Sequence, residues 1–120
     1  MTVLIVEDNA GIRRLLRRAF LDIASDIWEC SDGADAMALY ENHQPDVVLM
    51  DVRMPVMDGL TATRQIRQVY PSARVVIVTD YDDDDLRAAA SQAGASGYAL
   101  KQCLTELPGM VQSLIAIEER

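Results

Sequence analysis

The 120-residue sequence is poor in several residues on which common functions depend. It has one histidine, His43, and two cysteines, Cys30 and Cys103, that stand far apart without the spacing of metal ligands. That excludes a zinc-type ligand set and leaves His43 without a partner for metal binding or general-base work. Two free thiols in a reducing cytoplasm account for the cysteines, although sequence leaves a bridge between them open. No apolar run approaches the roughly 20 residues of a membrane span. The opening Met1 to Val6 breaks off at an acid pair and lacks a basic flank, so it does not read as a signal peptide. Positive charge is also scarce. Eleven Lys and Arg against nineteen Asp and Glu give a net charge of -8, which argues against direct binding of nucleic acid or an anionic membrane. There is no internal repeat, no low-complexity segment and no visible linker.

What is present suffices for one core, so residues 1–120 read as one domain. Val3-Leu4-Ile5-Val6, Val47-Val48-Leu49-Met50 and Val75-Val76-Ile77-Val78 are continuous apolar runs, the signature of strands covered on both faces. Asp26 to Cys30 is a less apolar strand, nearer a sheet edge, and Gly97 to Leu100 is a short one. Helical patterns lie between them. After Asn9, a good N-cap, the residues Ile12, Leu15, Leu16, Ala19, Phe20 and Ile23 form an amphipathic stripe. Arg13, Arg14, Arg17 and Arg18 occupy the opposite face, which reads first as a solvated surface, with a specific contact role as the alternative. Further helices are expected over Ala34 to Asn42, Gly59 to Val69, from the aspartate run to Ala93, and from near Thr105, where Pro108 is tolerated in the first turn.

The run Asp82-Asp83-Asp84-Asp85 lacks the acid, glycine and terminal glutamate spacing of an EF-hand. It fits a helix start, with Asp82 as cap and the next three at the positive end of the dipole. Gly94 closes that helix. Strand and helix thus alternate five times, which implies βαβ units and a parallel sheet with helices on both faces.

All strands of a parallel sheet end on one side. That side collects Glu7 and Asp8 after the first strand, Asp51 after the third, Thr79 after the fourth and Lys101 after the fifth. Alone, Asp51 reads as a turn or capping residue. Five such residues, each at its own strand end, point instead to a site. Clustered carboxylates repel one another, and a hard cation such as magnesium relieves this while keeping positions for phosphate oxygens. Asp51 can then act as nucleophile on a phosphoryl donor, with Lys101 and the Thr79 hydroxyl contacting the transferring oxygens.

Several stretches carry a resemblance. They are Leu4 to Asn9, Pro45 to Asp51, Met54-Pro55 with Met57-Asp58-Gly59, Val78-Thr79, and Gly94 to Lys101. With these the chain resembles the receiver domain of bacterial two-component response regulators, most closely those of the LuxR type. The resemblance implies a flavodoxin-like (βα)5 doubly wound parallel sheet of strand order 2-1-3-4-5. It implies that Asp51 accepts a phosphoryl group from a sensor histidine kinase, and that Mg2+ is held by Glu7, Asp8, Asp51 and the backbone carbonyl of Arg53. Thr79 and Lys101 would contact the phosphoryl group, and Tyr98 would be the aromatic switch that follows Thr79. A cytoplasmic regulator is implied that forms a homodimer on activation and drives a DNA-binding output domain outside this chain. A stand-alone receiver acting through protein contact is the alternative.

Two positions depart from the family. Gln102 stands where proline often follows the lysine in a cis bond; before a non-proline residue that bond costs about 2.5–4 kcal/mol, so a trans bond or altered loop is expected. Asp80 replaces the usual small residue after the threonine, and it either points into the phosphoryl pocket or outward to the next helix. Other α/β functions fit less well. A haloacid-dehalogenase phosphatase needs its Asp-x-Asp pair after the first strand, and a flavin binder needs a Ser/Thr/Gly-rich phosphate loop there. Glu7-Asp8-Asn9 provides neither.

Overall fold

The computed structural model describes residues 1–118. In chain order the elements are β1 (Thr2–Val6), α1 (Ala10–Phe20), β2 (Asp26–Cys30), α2 (Gly33–His43), β3 (Val47–Asp51), α3 (Gly59–Val69), β4 (Val75–Thr79), α4 (Asp84–Ala93), β5 (Gly97–Leu100) and α5 (Leu107–Glu118). A 3-10 turn, Lys101–Cys103, follows β5. All strand pairs are parallel, in the order β2-β1-β3-β4-β5. The expected flavodoxin-like (βα)5 architecture is therefore present.

Side chains of a strand alternate between faces, so each apolar run feeds two cores. Leu4, Val6, Val48, Met50, Val75 and Ile77 face one layer, where Tyr40, Ala62, Ile66 and Ala90 bring in α2, α3 and α4. Val3, Ile5, Val47, Leu49, Val76 and Val78 face the other, against Leu16 and Phe20 of α1 and Leu107 and Val111 of α5. β3 and β4 are buried along their whole length because helices cover both faces. β2 lies at an edge and is only partly buried, as its weaker apolarity predicts.

Helix boundaries follow local chemistry, with some corrections. Asn9, Asp32 and Asp58 cap α1, α2 and α3 by accepting from backbone N–H groups three residues on. For α4 the expected cap was Asp82, but the structure uses Asp83, whose Oδ1 accepts from Asp85 and Leu86 at 2.8 and 3.1 Å. Asp82 instead pairs with Arg87 at 3.0 Å. α5 begins at Leu107 rather than near Thr105, because the 3-10 turn and the bend after it carry the chain to the buried Leu107. The stripe of α1 is narrower than its periodicity suggests. Leu15 is 47% exposed, and Ile23 lies past the helix end at Phe20. The Lys101–Gln102 bond is trans, in line with the altered loop expected there.

Candidate functional site

The sheet order changes direction at β1 and β3, so α1 and α3 leave these neighbouring strands toward opposite faces and open a crevice beyond their C-terminal ends. The ladder runs one residue past β1, since Glu7 N–H donates to Cys30 O at 3.1 Å. That holds the Glu7 carboxyl inside, 1% exposed. Asp8, the next residue, turns outward. Asp51 closes β3 and is 6% exposed at the floor of the crevice.

A tight return of the chain shapes the Asp51 side. Gly59 N–H donates to Val52 O at 2.8 Å, and a Cβ on Gly59 would lie 1.8 Å from Asp51 O. Only glycine permits so close a backbone approach. Asp58 then starts α3 by accepting from Thr61 N–H at 2.9 Å.

Lys101 reaches in from the end of β5. Its Nζ lies 2.7 Å from Glu7 Oε1 and 3.1 Å from Asp51 Oδ1, bridging the two buried carboxylates. Asn9 N–H donates to the other Glu7 oxygen at 3.2 Å. Burial first, and then the neighbouring Asp51, push the Glu7 carboxyl up to about 7. Burial would lower the Lys101 ammonium, but its hydrogen bond to Glu7 and the Asp51 charge outweigh that and raise it. Asp8 is held below the usual carboxylate range; a burial penalty opposes this, and hydrogen bonds with Glu7 and Asp51 overcome it.

The donor set suits a hard cation. One carboxylate oxygen from each of Glu7, Asp8 and Asp51 lies within 4.8 Å of the others. Glu7 Oε1 is buried, and the Lys101 ammonium 2.7 Å away is what compensates it. Three hard carboxylate oxygens fit magnesium, which takes a few carboxylates and keeps its remaining positions for water or phosphate.

The crevice, about 220 Å3 in volume, is lined by Arg53, Thr79, Asp80 and Tyr81 as well as by Asp8, Asp51 and Lys101. Thr79 is buried, and its hydroxyl accepts from Tyr81 N–H at 3.3 Å. Asp80 is exposed at the rim, between the two readings its position allowed. Tyr98 does not line the crevice. It is half-buried on β5, donates its hydroxyl to Tyr81 O at 2.5 Å, and carries Arg87 over its ring at 4.4 Å.

Two features escaped the sequence reading. Tyr81 joins the crevice mouth to Tyr98, and its ring also lies under the Arg53 guanidinium, 4.4 Å away. No short-range pattern marks it. The second is Arg13, placed on a solvated face by periodicity, which donates to the carbonyls of Glu7 and Asp8 at 2.8 and 3.4 Å. His43, by contrast, stacks on Trp28 with ring centroids 4.1 Å apart, away from the site.

A 2-1-3-4-5 sheet with an acidic crevice at its switch point is a flavodoxin-like receiver fold. Residues 3–112 match the response regulator receiver domain family, and the chain belongs to that family. It is 36% identical over 103 residues to the uncharacterized transcriptional regulatory protein YhcZ of Bacillus subtilis, with 84% of this chain and 48% of that protein covered. It is 33% identical over 99 residues to the chemotaxis protein CheY of Halobacterium salinarum, with 82% of each covered. A LuxR-family two-component response regulator from Aurantimonas superposes with a TM-score of 0.89 at 32% identity, covering 96% of this chain and 84% of that one. The chain thus spans about half the length of YhcZ and most of CheY. The family is a signalling receiver rather than a turnover enzyme, and such domains bind magnesium at an acidic pocket of this kind.

Proposed function

We propose that residues 1–120 serve as one receiver domain that accepts a phosphoryl group on Asp51 from the phosphohistidine of a sensor kinase. The observation that carries this is the Asp51 carboxylate, buried at a strand end, 3.1 Å from the lysine and within 4.8 Å of two further acids. Asp51 attacks phosphorus, the P–N bond to the donor histidine breaks, and the imidazole leaves with the electron pair and takes up a proton. Lys101, already drawn to Asp51 Oδ1, stabilises charge on the transferred oxygens, and the Thr79 hydroxyl donates to one of them. Magnesium would be held by Glu7, Asp8, Asp51 and the Arg53 carbonyl, and would supply charge neutralisation for the phosphoryl group. The protein would work in the cytoplasm.

Loss of the Thr79–Tyr81 hydrogen bond when the hydroxyl turns to a phosphoryl oxygen would free Tyr81, and with it the Tyr98 hydroxyl. That gives Thr79 and Tyr98 the role of a switch acting on α4, β5 and α5. The output is transcription through a DNA-binding domain elsewhere in the full protein, with a homodimer as the active form; relatives such as YhcZ favour it. A receiver acting by protein contact alone is the second reading, favoured by the 82% coverage of CheY. Intact mass after incubation with a small acyl phosphate and magnesium tests the phosphoacceptor. A gain of one phosphoryl group, lost in Asp51→Asn, is expected. An adduct that persists undiminished in Asp51→Asn refutes it.

A further inference from the structure

Sequence periodicity puts Arg13 on the outer face of α1, yet its side chain is only 24% exposed. The guanidinium turns back over the first turn of the helix, and one nitrogen, Nη1, donates to Glu7 O at 2.8 Å and to Asp8 O at 3.4 Å. These are the peptide carbonyls of the two residues whose side chains form the acid pair. Nε faces Glu29 Oε1 on β2 at 3.4 Å. Arg17, one turn further along α1, holds the other Glu29 oxygen at 2.6 Å. The guanidinium is therefore aimed by a carboxylate that is itself held from behind.

Partly exposed ion pairs of this kind contribute little to stability. What this one supplies is direction. A planar, fixed fork constrains the groups it touches more than an ammonium on a flexible stem can. The other restraints on this loop act on the Glu7 N–H, the Glu7 carboxylate and Asn9, through Cys30 O, Lys101 and the first turn of α1, and among these bonds only those of Arg13 reach the Asp8 carbonyl.

We propose that Arg13, aimed by Glu29, is a positioning residue for the cation site, setting the Glu7-Asp8 backbone so that both carboxylates converge with Asp51. This rests on the reading of Glu7, Asp8 and Asp51 as a divalent-cation site. Groups that orient metal ligands from behind typically cost 10–100-fold in affinity when removed, because a misaimed carboxylate cannot meet the geometry of a small cation. Positioning and plain electrostatics predict opposite signs here. A nearby positive charge repels a cation, so if charge alone mattered, neutralising Arg13 would tighten binding.

The test is titration of the whole chain with Mn2+, following free Mn2+ by electron paramagnetic resonance, for the parent, Arg13→Lys, Arg13→Gln, Glu29→Gln and Asp8→Asn. Circular dichroism melts without metal check that each variant is folded. Positioning predicts that both Arg13 variants bind about tenfold more weakly, with lysine failing to rescue, and that Glu29→Gln binds more weakly to a smaller extent. Arg13→Gln binding as tightly as the parent or tighter, or full rescue by Arg13→Lys, overturns the proposal. Failure of the underlying site reading looks different: the parent itself would not bind, or Asp8→Asn would bind as the parent does.

Discussion

Glu7→Gln replaces an ionisable carboxyl that this fold holds almost wholly out of water. The Glu7 carboxyl is 1% exposed and moves from an ordinary 4.5 up to about 7, because burial and the adjacent Asp51 disfavour its charged form. At ~1.4 kcal/mol per tenfold change in proton affinity, folding favours the neutral carboxyl by about 3 kcal/mol. Between pH 4.5 and 7 the folded chain therefore holds more protons at Glu7 than the unfolded chain does. Stability from this group is present below pH 4.5 and falls as pH rises to 7. Glutamine mimics the neutral form at every pH and leaves the Lys101 pair with Asp51 in place. Urea unfolding of parent and variant, free of divalent cations, at several pH values across this window gives the comparison. Subtracting the two removes the titrating groups that do not touch Glu7, and leaves Glu7 with the Asp51, Asp8 and Lys101 groups coupled to it. The expected result is a gain by Glu7→Gln relative to the parent of about 3 kcal/mol from the acid to the neutral end. A difference that stays flat with pH would show that Glu7 is charged throughout, and would refute the account of its burial.

Magnesium should raise the stability of the parent by about 2.7 kcal/mol at 100 times its dissociation constant, since the unfolded chain has no such cluster. Asp8→Asn, a change at an exposed side chain, should lose most of that gain in thermal melts while leaving the cation-free melt in place. Gly59→Ala should cost at least about 3 kcal/mol in urea unfolding, because its Cβ would meet Asp51 O; a cost under ~1 kcal/mol would contradict the close approach. Asp80→Ala should lengthen the lifetime of the phosphorylated state at low salt, by removing a negative charge at the crevice rim. That advantage should vanish at about 1 M salt, where the screening length is ~3 Å; lifetimes equal to the parent at both salts would make Asp80 a plain surface residue.

Fold and site differ in how far a linear reading reaches. Three runs of four apolar residues, separated by helical periods, already point to a parallel sheet with helices on both faces, because the intervening helices are what can cover both sides of such strands. The same logic puts Glu7, Asp8, Asp51, Thr79 and Lys101 at one end, since parallel strands all finish there. Local chemistry likewise ends the helices, as at Gly94, whose φ of 99° is open to glycine. Where several neighbours could serve equally, as in the aspartate run, sequence could not choose, and Asp83 rather than Asp82 caps α4. Contacts between distant segments left no local trace at all. Lys101 bridges Glu7 and Asp51, Tyr81 joins Arg53 to Tyr98, and Glu29 on a neighbouring strand aims Arg13 at the acid pair. Periodicity tells which face of a helix a residue leaves from. It does not tell where a long, charged side chain ends, because the side chain can fold back to whatever carbonyls and carboxylates the other elements bring within its reach.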